Sequence, residues 1–251
     1  MGIIKILHGQ AIMHAMTKSS VVFLCPCLVS ALVFLLYWTP RGEPPCPIGV
    51  VYKCLPILFL CMYVGAEIFF SGISRYSACI MLGLLFSGTG DAYMVYQRDY
   101  FIHGMLAFGA AHLFYAVAFH ERRMWWKFVV FYTPFNVVMF TILAPRVSFQ
   151  VFVPGCFYGL LITLMLWRAA ARLDFSNPSA SKLCALAGAL LFLASDTVLS
   201  LNKFAVPLPY AQYIIMTTYY SSQFLITVSV HKEVEKHGVT AALNDGLKKN
   251  N

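Results

Sequence analysis

The chain has 251 residues, of which 60% are hydrophobic and 11% charged, and its mean hydropathy is +0.72. That balance lies outside the range of water-soluble domains and leaves almost nothing to build one. A net charge of +8 would suggest nucleic acid in a soluble protein. In so apolar a chain it reads instead as the Lys and Arg excess of cytoplasmic loops, so no nucleic-acid partner is expected.

Residues 1–19 form an N-terminal tail with Lys5, His8, His14 and Lys18 among apolar neighbours, either a short interfacial helix or a loose segment. Gly2 follows Met1, but Ile6 stands where a myristoylation signal needs Ser or Thr. No small-x-small cleavage site follows the first apolar block, which reads as a retained span rather than a cleaved signal. Apolar blocks long enough to cross a bilayer predict spans near 20–38, 50–70, 77–96, 101–119, 126–143, 150–167, 183–201 and 210–230. The expected fold is an all-α polytopic bundle of about eight transmembrane helices over residues 20–230, followed by a tail at 231–251. The loop TPRGEPPCP cannot continue a helix, and RLDFSNPSASK separates spans six and seven.

Charge orients the spans. The N-terminal tail, the even-numbered loops and the C-terminal tail hold thirteen Lys and Arg, including Arg75, Arg122, Arg123, Arg168, Arg172 and Lys182. The connections on the other side hold four: Arg41, Arg98, Arg146 and Lys203. This asymmetry predicts that both termini are cytosolic. The eight cysteines fall mostly inside apolar blocks with no C-x-x-C pair, which suits small buried hydrophobes. Cys46 and Cys54 lie near one membrane face, where a bridge could form. No Cys/His spacing fits zinc, so no metal is expected.

Two acids stand inside apolar helices. Asp91 lies in GLLFSGTGDAYMVY and Asp196 in ALLFLASDTVLSLNKF. An aspartate at bilayer depth costs at least ~3 kcal/mol on insertion scales, so each is a functional candidate that needs a partner. From the predicted cytosolic starts at Ser77 and Leu183, both lie ~20 Å into the membrane, in its non-cytosolic half. Lys53, Asn202 and Lys203 fall on the same side, which predicts one polar layer of these five residues. Glu67, near the other end of span two, is expected to reach cytosolic water. LLF-x4-D in span three echoes LLF-x3-D in span seven, as a four-plus-four duplication would.

Desolvation disfavours the charged form of a carboxyl, and two neighbouring carboxyls do not both ionise cheaply. One can then donate a proton while the other stays a base or a charge stabiliser. The alternative for such a pair is a polar knot that only fixes helix packing. His103 and His112 in span four are half a turn out of phase, and His112, at mid-membrane, is the pocket candidate. Span eight carries the run from Thr217 to Gln223, TTYYSSQ, either a wet, substrate-lined face or helix–helix hydrogen bonding. Tyr96, Tyr100, Trp125, Trp126 and Tyr210 read as interfacial belt residues. G-x-S-x-G, P-loop and H-E-x-x-H patterns are absent.

At YKCLPI (52–57), SGTGDAYMVY (87–96), FIHGMLAFGAAHLFYA (101–116), ASDTVLSLNKF (194–204) and TTYY (217–220), the chain resembles the lysoplasmalogenase (YhhN) family of integral membrane proteins. The resemblance runs from span two to span eight. It implies hydrolysis of the vinyl ether bond of a lysoplasmalogen, giving a fatty aldehyde and glycerophosphocholine or glycerophosphoethanolamine. It places the family's two acidic positions on Asp91 and Asp196. Tyr93-Met94 depart from the smaller or aliphatic residues expected after the first acid, which bears on pocket shape.

The chemistry suits two carboxyls. Protonating the outer alkene carbon gives an oxocarbenium ion, as in glycoside hydrolysis, and water then adds. It calls for no metal or organic cofactor. Asp196 is taken as the proton donor. Lys53, Asn202 and Lys203 are taken as anchors for the lipid phosphate, with His112 and Tyr219 lining the substrate site. The ending Lys248-Lys249-Asn250-Asn251 has the form of a dilysine signal, implying an endoplasmic reticulum membrane protein that meets the retrieval machinery. A proton-coupled transporter using the same acid pair is the rival reading, and a non-catalytic lipid-binding or receptor-like protein is another.

Overall fold

The computed structural model describes residues 21–39, 45–120, 126–173 and 179–249, of which 126–129, 131 and 231–249 by their backbone alone. The N-terminal tail with Lys5 and Lys18, the loop arginines Arg41, Arg122 and Arg123, the side chains of Lys248 and Lys249, and Asn250-Asn251 lie outside the described residues. Among the described residues the structure is all helical.

Eight helices follow one another. They are α1 (Val21–Trp38), α2 (Pro47–Ser71), α3 (Arg75–Val95), α4 (Gln97–Ala118), α5 (Trp126–Leu143), α6 (Phe149–Ala171), α7 (Ala180–Phe204) and α8 (Ala211–Lys249). Six of them, α1 to α4, α6 and α7, are long and apolar enough to cross a bilayer. In hydrocarbon every backbone N–H and C=O must be satisfied within its own segment, which is why such runs become helices. Local signals set the ends. Pro47 opens α2 behind Cys46, whose Sγ accepts from the Gly49 N–H at 3.4 Å. Gly72, with φ of 82°, stops α2 in a conformation that a side chain would resist. Ser74 and Ser77 cap α3 reciprocally, each side-chain oxygen accepting from the other's N–H at 3.0 Å.

Four points differ from the sequence expectations. Helix α4 begins at Gln97, four residues before the predicted start of span four and just past the single residue Tyr96, and kinks at Tyr100. Helix α8 continues to Lys249 through the segment expected as a tail; HKEVEKHGVTAALNDGLKK is rich in helix formers and holds no proline to stop it. Cys46 and Cys54 are free thiols, the Cys54 Sγ donating to the Gly88 carbonyl at 3.4 Å. Glu67 is 1% exposed rather than at water. It continues the buried stripe of Leu60 and Val64 at i, i+4 and i+7, a full turn inside the end of α2.

Neighbouring helices run antiparallel. Gly83 and Gly90 of α3 lie against Tyr115 and Phe108 of α4, and Ser181 and Ser195 of α7 bond the carbonyls of Ser229 and Ile215 of α8. The connections after α1, α3, α5 and α7 therefore share one end of the bundle, called here the upper end. Asp91 is sixteen residues into α3 and Asp196 sixteen residues into α7. At 1.5 Å per residue both lie ~24 Å from the lower helix starts.

Candidate active site

Asp91 is sealed between α2, α3 and α8. It is 1% exposed. The Tyr219 hydroxyl donates to its Oδ2 at 2.6 Å, and the Lys53 ammonium stands 3.8 Å from its Oδ1. Tyr220 donates to the Lys53 carbonyl at 2.9 Å, which fixes α8 to α2 at this level. One turn below, the Tyr115 hydroxyl donates to Gln223 Oε1 at 2.7 Å, and Gln223 Nε2 donates to Ser87 Oγ at 2.9 Å. Ser87 precedes Asp91 by four residues and Gln223 follows Tyr219 by four, so each pair shares one helix face. Buried polar groups demand such partners.

Asp196 belongs to a second cluster, built from α4, α6 and α7. The Tyr158 hydroxyl donates to Asp196 Oδ2 at 2.5 Å. His112 Nε2 lies 3.0 Å from that hydroxyl and 3.5 Å from the same carboxyl oxygen. His112 is fully buried, whereas the Asp196 side chain keeps 15% of its surface open.

Two aromatic rings stand between the clusters. Phe192 lies 4.5 Å from His112 and 5.5 Å from Tyr219, centroid to centroid. Phe108 lies 6.2 Å from Phe192 and 5.8 Å from Tyr219. Among the described residues the two carboxyls share no hydrogen bond.

The opening beside Asp196 is a cavity of about 600 Å³ between α4, α5, α6 and α7. From Leu193 to Phe204 on α7, and from Tyr132 to Leu143 on α5, its wall runs ~16 Å along the helices. It reaches the upper end at Met94, Phe101 and Phe204. It also opens sideways, since Val137, Phe140 and Leu160 line it while remaining 57%, 55% and 66% exposed. Among the described residues the wall is apolar apart from a few hydroxyls, Asn136 and Asp196, which is the single charged side chain on it. Such concave apolar sites with a few convergent polar groups are where small ligands bind.

The residues expected to form one polar layer fall in three places. Lys53 meets Asp91, and Tyr219 joins them. Asp196 stands apart, with His112. Asn202 closes the α7–α8 turn, its Oδ1 accepting from the Leu208 N–H at 2.8 Å. Lys203 sits at the cavity mouth, its Nζ 4.5 Å above the Phe101 ring and 3.4 Å from Gln97 Oε1. His103 is exposed, against Tyr93 and Tyr100, while Met94 of the departing Tyr93-Met94 pair lines the cavity. Tyr158 was not singled out by the sequence reading. Its signal was available: a tyrosine at mid-span, away from the interfacial belt, between Gly155 and Gly159. Among the described residues no group of three or more His, Cys, Asp or Glu could hold a metal ion.

Residues 48–230, which include both acid clusters and the whole cavity, match the YhhN family. The chain is 34% identical over 226 residues to Lysoplasmalogenase TMEM86A of Homo sapiens, covering 87% of this chain and 94% of that protein. It is 36% identical over 212 residues to Lysoplasmalogenase TMEM86B of Sus scrofa, covering 83% and 86%. It is 25% identical over 184 residues to Uncharacterized membrane protein YhhN of Escherichia coli O157:H7, covering 72% and 86%. No solved structure matches.

Proposed function

The chain belongs to the YhhN family, and from that premise we propose that it is a lysoplasmalogenase, as its mammalian relatives are named. The substrate is a single-chain phospholipid with a vinyl ether at its glycerol. The products are a fatty aldehyde and glycerophosphocholine or glycerophosphoethanolamine. The observation that carries this reading is the lone carboxyl of Asp196 on the wall of an apolar cavity of about 600 Å³ that opens both sideways and to the upper end. An alkenyl chain fits the apolar wall, and a vinyl ether needs a proton donor at its outer carbon. Asp196 supplies that proton. Lys203, at the mouth, faces the lipid phosphate. About seven residues, ~10 Å of helix rise, separate it from Asp196, a span that the glycerol and the lysine stem bridge together.

The protein is a multi-pass membrane protein. We place the upper end on the side of the membrane away from the cytosol and both ends of the chain in the cytosol, on the Lys and Arg asymmetry. Aldehyde release from a lysoplasmenyl lipid by the purified protein, beside Asp196→Asn, tests the activity. Wild-type release that the folded variant loses supports it; folded wild type that releases none over several headgroups and pH values rejects it.

The buried group of Lys53, Asp91, Tyr219, Ser87, Gln223 and Tyr115 favours a second reading. It lies off the cavity and links α2, α3, α4 and α8 through charge and hydrogen bonds, a feature that suits a proton-coupled transporter. Proton flux into liposomes in the absence of lysolipid would decide for that reading.

A further inference from the structure

Asp91 and Asp196 are equally deep in equivalent helices, yet their oxygens are used differently. Both oxygens of Asp91 are engaged, Oδ2 by the Tyr219 hydroxyl at 2.6 Å and Oδ1 by the Lys53 ammonium at 3.8 Å. The residue is 1% exposed and absent from the cavity wall. Phe108 and Phe192 fill the space on its cavity side. Asp196 has one oxygen held and one offered. Its Oδ2 takes the Tyr158 hydroxyl, with His112 Nε2 beside it, while Oδ1 carries no hydrogen bond among the described residues and the side chain lines the cavity.

The proton positions in this second cluster follow from donor counting. Tyr158 has one hydroxyl hydrogen, and it is spent on Asp196. The 3.0 Å contact between that hydroxyl and His112 Nε2 therefore needs a hydrogen on Nε2. His112 Nδ1 is buried with no hydrogen-bond partner. A bare acceptor there costs less than an N–H with nowhere to point, so the imidazole carries its proton on Nε2 alone. The order is His112 Nε2–H to Tyr158 O–H to Asp196 Oδ2, a relay in which each group donates to the next.

We infer that the two acids have divided roles: Asp196 alone is the catalytic carboxyl, Tyr158 and His112 are its positioning residues, and Asp91 is a positioning residue whose charge serves only to balance Lys53. This rests on the lysoplasmalogenase reading and names the groups that carry it out. Asp196 Oδ1 gives its proton to the outer alkene carbon, and the ether-bearing carbon becomes an oxocarbenium ion. The carboxylate left behind keeps the Tyr158 hydrogen bond, which is strongest to the charged form. Water adds to the cationic carbon and returns a proton to Asp196. The hemiacetal hydroxyl proton then moves to the ether oxygen as that carbon–oxygen bond breaks. Aldehyde and glycerol hydroxyl leave, one water is consumed, and Asp196 ends protonated.

The experiment measures aldehyde release from lysoplasmenylethanolamine by the full-length protein in nanodiscs, with thermal melting of each variant. Tyr158→Phe is expected to lower kcat about 100-fold, with KM within about twofold, as loss of a preorganised donor does, and a slightly lower melting temperature because the buried His112 N–H loses its acceptor. Asp91→Asn is expected to melt lower and lose activity, because it leaves Lys53 buried without its counter-ion. Combining it with Lys53→Met removes both charges and is expected to restore release to within about tenfold of wild type, as balanced removal of a buried ion pair allows. No second-site change of this kind restores Asp196→Asn. Active wild type with a Tyr158→Phe variant of similar kcat overturns the proposal, as does a well-folded Lys53→Met/Asp91→Asn protein without activity. Wild type that releases no aldehyde overturns the lysoplasmalogenase reading, and the division of roles with it.

Discussion

A hydroxyl that gives its only hydrogen to a carboxylate can receive one from an imidazole, and at Tyr158 it has both neighbours within 3.0 Å. That order makes His112 testable apart from Tyr158. His112→Gln keeps an N–H donor at a similar reach on a more flexible stem, whereas His112→Ala removes the donor and a fully buried side chain together. Loss of one such hydrogen bond is worth ~1–1.5 kcal/mol, so His112→Gln should cost up to about tenfold in kcat. His112→Ala should cost more and also melt lower, by the ~2–5 kcal/mol typical of emptied core sites. Steady-state kinetics beside a melting curve separates the two effects. At this scale the sequence shows charge well and partnership poorly. Asp91 and Asp196 are conspicuous because no other charged residue stands within six positions of either. Their partners are not: Tyr158 is one of 14 tyrosines, and its meeting with Asp196 depends on which three helices share a wall. The expectation of a single polar layer fails for the same reason, since equal depth does not bring side chains to one side of a helix.

Helices α6 and α7 use glycine in opposite ways, and the difference can be measured. A Cβ built on Gly155 or Gly159 of α6 meets nothing within 4 Å, or open space, and both residues line the cavity. Gly155→Phe should leave the fold intact, fill the cavity and raise KM by at least about tenfold, the value of a lost apolar contact of ~1.4 kcal/mol or more. Titration with lysolipid checks this. Gly188 of α7 is pressed against α8, where a Cβ would lie 2.7 Å from Ile226 Cγ1 and 3.0 Å from the Ser222 carbonyl oxygen. Small residues let membrane helices approach this closely. Gly188→Leu should destabilise by ~1–3 kcal/mol through overpacking, seen as a lower melting temperature without a change in KM. The spans themselves are legible because length and apolarity suffice to define them. Their register is not. Nothing in the apolar run of α6 distinguishes the glycines that open a cavity from those that only pack, and the extra turns of α8 lie beyond the last long apolar block, where propensity takes over from burial.

For the molecule as a whole, the distribution of Lys and Arg predicts that epitope tags at both termini face the cytosol. Antibody access after selective permeabilisation of the plasma membrane checks this, and a tag seen only after full permeabilisation rejects it. On that orientation the cavity of Asp196 would lie in the half of the bilayer away from the cytosol. Its two openings, one through the exposed flank at Val137, Phe140 and Leu160 and one at the upper end, face different solvents. A long-chain aldehyde dissolves in hydrocarbon and a glycerophosphodiester dissolves in water, so the products of a vinyl ether cleavage part into separate phases as they leave. Each is diluted where the other cannot follow, and re-encounter of the two within one cavity becomes rare. Feedback would accordingly be one-sided: a bilayer loaded with fatty aldehyde would slow turnover, while glycerophosphodiester added to the aqueous phase would leave it unchanged.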